Sequence, residues 1–152
     1  MARRFGQICL ATLSEALEGE NLTPLEFGVL RHLEEEPNID QSGLAERLGV
    51  DRNNASLLVE RLQSKGFVER RVNGDDRRAR LLRLTSRGAK LHDRVLPKAQ
   101  ASHQRILAVL KPAERELLLD LLVRVIEGNQ SLARPGAGRR KRGSRQLSPT
   151  QR

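Results

Sequence analysis

The apolar positions of this chain follow a helical period over most of its length and change once, between residues 67 and 84, to a spacing that suits a β-hairpin. Near the start, Ile8, Leu10, Leu13 and Leu17 form an apolar stripe. Thr23-Pro24-Leu25-Glu26 then combines an N-cap hydroxyl, proline at the first helical position and glutamate at the third. Such a sequence satisfies the orphan amides of a helix start, so it predicts a helix to about Glu35. Asp40 can cap a second, short helix through Leu44, Ala45 and Leu48 that stops at Gly49. Asp51 can cap a third through Lys65 that stops at Gly66. Two short capped helices separated by a glycine turn predict a helix-turn-helix.

Past Gly66, residues 67–72 and 79–84 are β-compatible and flank Asn73-Gly74-Asp75-Asp76, which is turn chemistry. Helical periodicity returns from Thr85 to about Glu127 and breaks at Lys111-Pro112. This predicts a long helix and a shorter one rich in Leu117, Leu118, Leu121, Leu122, Val125 and Ile126. The apolar stripes at the two ends exceed what one small domain can cover, which implies a second copy packed against them. The expected fold class is mainly α with a small β-hairpin (α+β).

Projecting the third helix at about 100° per residue separates two faces. Ala55, Leu58, Val59 and Leu62 fall on one side. Asn53, Ser56, Leu57, Glu60 and Ser64 centre on the other, flanked by Arg52 and Arg61. The first face is suited to packing. The second is suited to a major groove, where asparagine can address adenine N6 and N7. An ordinary surface helix has the same two-faced pattern, so it is the position after a helix-turn and before a basic hairpin that favours recognition.

Charge sharpens this picture more than composition does. The net charge is +9, but Arg134, Arg139, Arg140, Lys141, Arg142, Arg145 and Arg152 account for most of it with no acid among them. Residues 131–152, rich in Gly, Pro, Ser and Arg and poor in apolar anchors, are expected to be a disordered basic tail. The body must therefore concentrate its cations locally to hold a polyanion, and Asp75-Asp-Arg-Arg-Ala-Arg does so at the hairpin. The lone Cys9 excludes an internal disulfide, and no Cys/His spacing suggests zinc. A cytoplasmic location, no membrane span and no cofactor are the expectations. No nucleophile elbow, phosphate loop or paired-histidine motif is present, so no catalytic residue is expected.

Leu22-Thr23-Pro24-Leu25-Glu26-Phe27, Leu44-Ala45-Glu46-Arg47-Leu48, Val59-Glu60-Arg61-Leu62 through Lys65-Gly66-Phe67-Val68-Glu69-Arg70, and Asp76-Arg77-Arg78 followed by Leu84-Thr85 and Gly88 resemble the MarR family of winged helix-turn-helix regulators. The resemblance covers roughly residues 22 to 127. It implies a winged helix-turn-helix DNA-binding domain over residues 21–85 and a helical dimerisation region from residues 1–20 and 86–130. It further implies a homodimer on near-palindromic double-stranded DNA, acting by default as a repressor. Arg52, Asn53, Ser56, Leu57 and Arg61 would serve the major groove. Arg78 would enter the minor groove, where narrowing concentrates negative potential. Asp76 would fix the wing tip, with Arg77, Arg80 and Arg83 as phosphate partners. Leu57 departs from the polar or basic residue common there; it either meets a thymine methyl or belongs to the core.

The same resemblance implies a small-molecule effector, an aromatic acid or its thioester. Arg31, His32 and His92 would hold the anion, and Phe27 and Leu30 would form apolar walls. Two other readings stay open: peroxide sensing through Cys9, and a winged helix used for protein contacts with an RNA-binding tail. The absence of tyrosine argues against a reactive Cys9.

Overall fold

Four helix starts are held by side-chain oxygens on backbone amides, and these caps organise the fold. The computed structural model describes residues 1–72 and 80–129. Asp76, Arg77, Arg78 and the tail expected over residues 131–152 lie outside the described residues. The elements run α1 (Ala2–Ala16), α2 (Pro24–Glu35), β1 (Ile39–Asp40), α3 (Gln41–Leu48), α4 (Arg52–Ser64), β2 (Val68–Val72), β3 (Arg80–Leu84), α5 (Ser86–Leu107) and α6 (Pro112–Gly128). The result is mainly helical with a small sheet, an α+β architecture.

At α2 the capping box is complete: Thr23 Oγ1 accepts from the Glu26 amide at 3.2 Å, and Glu26 Oε2 accepts from the Thr23 amide at 2.9 Å. Asp40 accepts from the Gly43 amide at 2.7 Å to start α3, and Asp51 accepts from the Asn54 amide at 2.8 Å to start α4. Gly49 and Gly66 end these two helices at φ 65° and 75°, a region glycine enters without Cβ strain. Thr85 caps α5 at the Gly88 amide and also donates to the Gly66 carbonyl at 2.7 Å, joining the end of α4 to the start of α5. Gly88 is required there by space: a Cβ would lie 2.0 Å from the Phe67 carbonyl oxygen.

The sheet order is β1-β3-β2, antiparallel throughout. Hairpin pairing sets Val68 opposite Leu84 and Val72 opposite Arg80. β1 is an addition to the sequence expectation, because Ile39 and Asp40 become a strand only by pairing with Leu82 and Leu81. The core is drawn from α2, α3, α4, the sheet and the first half of α5. Leu30, Leu44, Val59, Leu62, Leu82 and Val95 are completely buried in it. α1 packs along α5, whose Pro97 is accommodated inside the helix, with its ring facing solvent. The expected break at Lys111-Pro112 separates α5 from α6. No residue of α6 is buried.

Candidate nucleic-acid interface

The α4 helix divides as its sequence projection requires. Ala55, Leu58, Val59 and Leu62 are buried, whereas Arg52, Asn53, Leu57, Glu60 and Arg61 are exposed and Ser56 is half-buried. Leu57 is 50% exposed, so it is a surface residue and the core alternative is removed. The Asp51 cap accepts from both the backbone and the side chain of Asn54, at 2.8 and 2.9 Å, and so anchors the first turn that carries Arg52 and Asn53. A preordered first turn loses less entropy when it meets a ligand.

Along this surface runs a polar chain that sequence reasoning missed. Ser56 Oγ donates to Glu60 Oε1 at 3.0 Å, and Arg70 of β2 approaches the same oxygen at 3.9 Å. Arg70 also donates to Gln41 Oε1 at 3.4 Å, at the start of α3. The four residues thus connect both helices of the helix-turn-helix to the hairpin. A serine hydroxyl that donates to a carboxylate keeps its lone pairs as acceptors. The i,i+4 spacing of Ser56 and Glu60 was the only local signal for this arrangement.

Arg61 sits about one and a half turns beyond Ser56 and lines a cleft against the α1–α2 connection with Leu17, Leu22 and Thr23. On the hairpin, Arg80 is exposed where β3 begins, while Arg83 and Arg71 both pair with Glu69. The Arg83 guanidinium beside it holds the Glu69 carboxyl below the usual glutamate range. Arg83 thus gives its Nε–H to a carboxylate and is partly exposed. The wing tip with Asp76, Arg77 and Arg78 is outside the described residues.

The five residues expected around an effector fall into separate surroundings. Phe27 and Leu30 are core side chains, and the buried His92 ring stacks on Phe27 with centroids 6.2 Å apart. Arg31 instead faces solvent and donates to Glu35 at 2.8 Å, with His32 Nδ1 3.6 Å from the same carboxylate. Burial pushes the His32 imidazole pKa down. The reason is helical geometry: consecutive residues 30 and 31 of α2 point about 100° apart, so a wall and an anchor chosen side by side diverge. Cys9 is half-buried and borders a mostly apolar opening with Phe5, His103, Leu118 and Leu122. Among the described residues, no cluster of three His, Cys, Asp or Glu is placed to hold a metal ion, and no helix is long and apolar enough to cross a membrane.

A helix-turn-helix with an exposed polar second helix, followed by a hairpin and helical arms, is the arrangement found in known relatives. A sequence profile of the MarR family matches residues 20–79. The transcriptional repressor MprA of Escherichia coli (strain K12) is 30% identical over 121 residues, spanning 74% of this chain and 69% of that protein. This chain belongs to the MarR family. The PcaV transcriptional regulator from Streptomyces coelicolor, solved in complex with its natural ligand, is 33% identical with a TM-score of 0.73, covering 83% of this chain and 89% of that one. A mutant MarR from E. coli complexed with operator DNA is 30% identical with a TM-score of 0.76, covering 82% and 90%. The match spans 64% of the length of one curated relative and 76% of another. MarR-family relatives are transcriptional regulators rather than enzymes, and the winged domain of this chain shares their DNA-binding fold.

Proposed function

We propose that this MarR-family chain is a homodimeric repressor that reads a near-palindromic operator and is released by a small-molecule effector. The carrying observation is the surface of α4: a sealed apolar face holds the helix in place, and Asn53, Ser56 and Leu57 project from the opposite side with no core function of their own. Asn53 is suited to adenine, Leu57 to a thymine methyl, and Ser56 to an exocyclic amine. Arg52, Arg61, Arg80 and Arg77 are assigned to phosphates, and Arg78 to the minor groove with Asp76 setting its aim. The operator complex of a related MarR supports the DNA part of this reading.

Residues 21–85 act as the DNA-binding unit, and residues 1–20 with 86–130 as the dimerisation unit. The second assignment rests on α1 and α6, where Phe5, Ile8, Leu10, Leu119, Val125 and Ile126 are exposed. Exposed apolar side chains in this number mark an interaction face. Two recognition helices on one dimer require half-sites about one helical turn, roughly 10 bp, apart. The PcaV structure with its natural ligand supports the effector part, and an aromatic acid or its thioester is the class to screen first. The tail over residues 131–152 adds sequence-independent attraction.

Selection of bound duplexes from a random pool, followed by footprinting, tests the reading. A two-fold related site with half-sites one turn apart is the expected result. Recovery of no common sequence would overturn it.

A further inference from the structure

The base of the hairpin carries a second basic surface that operator reading does not use. Glu20 from the α1–α2 connection, Lys65 and Phe67 from the turn after α4, and Arg87, Lys90 and Arg94 from α5 line an open cleft of about 490 Å³. Helical spacing brings the last three together, since positions 87, 90 and 94 share one face. The Arg87 guanidinium lies over the Phe67 ring, 4.9 Å from its centroid. An aromatic face holds the cation electrostatically and leaves its in-plane N–H donors available.

The carboxylates present are already committed. Glu20 accepts from Arg94 at 2.7 Å and from Lys98 at 2.6 Å. Buried Glu26 accepts from Lys65 at 3.0 Å, and Lys65 also donates to the Asn21 carbonyl at 2.9 Å. Asp93, the acid next along α5, is engaged with His92 at 3.2 Å. Three carboxylates therefore oppose the five cations of Lys65, Arg87, Lys90, Arg94 and Lys98, and the cleft keeps a surplus of positive charge. That surplus lies away from Asn53 and Ser56, and meets the DNA-facing set only at Lys65, which also lines the cleft of Arg61. α4 runs 13 residues from Arg52 to Ser64, so roughly 20 Å separates the cleft from the first turn of α4. It also sits where the hairpin strands begin and end rather than at the wing tip.

We propose that this cleft binds a phosphate-bearing small molecule. A planar guanidinium fork beside point-charge ammonium groups suits a multiply charged oxyanion, and the Phe67 edge suits an organic body attached to it. Such a ligand would bridge the end of α4 to the start of α5, the joint between the winged domain and the arms. The binding claim is independent of the operator reading and is measured without DNA.

Inorganic pyrophosphate is the probe, titrated calorimetrically into the full chain at fixed ionic strength. Saturable binding of one pyrophosphate per protomer is expected. The double variant Arg87→Gln/Lys90→Gln should weaken it about tenfold or more, whereas Arg139→Gln/Arg140→Gln, which removes the same charge from the tail, should leave it unchanged. Lys90→Gln alone, at an exposed position, should give a smaller loss and guards against misfolding of the double variant. Equal losses in the two double variants, or no saturable binding, would overturn the proposal. The salt dependence of duplex DNA binding should also be the same in Arg87→Gln/Lys90→Gln as in the parent. A slope reduced by about 0.9 per lost contact would make the cleft part of the DNA footprint instead.

Discussion

Helices α4 and α6 are both rich in leucine and valine, yet they meet their own chain in opposite ways. In α4 the aliphatic residues are confined to one side, apart from Leu57, and that side is sealed against α2, α3 and β2. In α6, Leu117, Leu118, Leu119, Leu121, Leu122 and Val123 spread over most of the helix circumference, leaving one polar side with Glu116, Asp120, Arg124 and Glu127, and none of them is buried. A helix with so broad an apolar face is stable in water only when something covers that face. The contrast separates two tasks. The capped, one-sided helix is finished within one chain and leaves its polar face exposed, while the broad apolar face of α6 is left uncovered by its own chain.

The largest test of this contrast substitutes the same residue type in each region. Leu62→Ala empties a completely buried site and should cost about 2–5 kcal/mol of folding stability at any protein concentration. Leu121→Ala removes the same atoms from an exposed site and should leave the unfolding of dilute monomer within about 0.5 kcal/mol of the parent. Denaturant titrations over a range of concentrations check both. Comparable losses in the dilute limit would mean that α6 is finished within its own chain.

A second test acts on assembly alone. Leu119→Lys together with Ile126→Lys places charge on the apolar surface of α6 and should weaken self-association by about 100-fold, or about 3 kcal/mol, read by sedimentation equilibrium. Unchanged association would assign the dimer to another surface.

Smaller effects come from protons within the winged domain. Burial alone would raise the Glu26 pKa, but the Thr23 amide and Lys65 ammonium outweigh it and hold the carboxyl below its ordinary range. A depressed carboxyl contributes stability that is complete above the unfolded pKa and is lost as pH falls through the folded one. Glu26→Gln should therefore cost about 1–2 kcal/mol above about pH 5, and the difference should vanish in stronger acid. His32 has the same sign in a higher window: its pKa is lowered by burial, so its contribution fades as pH falls through the ordinary imidazole range. Thermal melts of Glu26→Gln and the parent across pH check the first effect, and a stability difference independent of pH would contradict it.

The parts of this structure that were legible in the sequence are those specified by neighbours a few positions away. Thr23, Asp40 and Asp51 cap helices because an oxygen three residues from an amide can reach it, and α4 sorts its faces because the helical period is local. β1 was not legible, since Ile39 and Asp40 form a strand only through partners more than 40 positions away. The basic cleft was missed for the same reason: Lys65 and Arg94 come together only when Thr85 ties α5 to the end of α4. Of the effector residues that the resemblance implies, Leu30 is buried in the core while Arg31 pairs with Glu35 at the surface.

The central claim is that the exposed face of α4 reads bases while its buried face only holds position. The most direct measurement is the affinity of Asn53→Ala for the selected operator and for a scrambled duplex of equal length, at one salt concentration. Loss of about 1–3 kcal/mol on the operator, with little change on the scrambled duplex, is the predicted result. Equal losses on both duplexes would reduce Asn53 to a backbone contact and contradict the account.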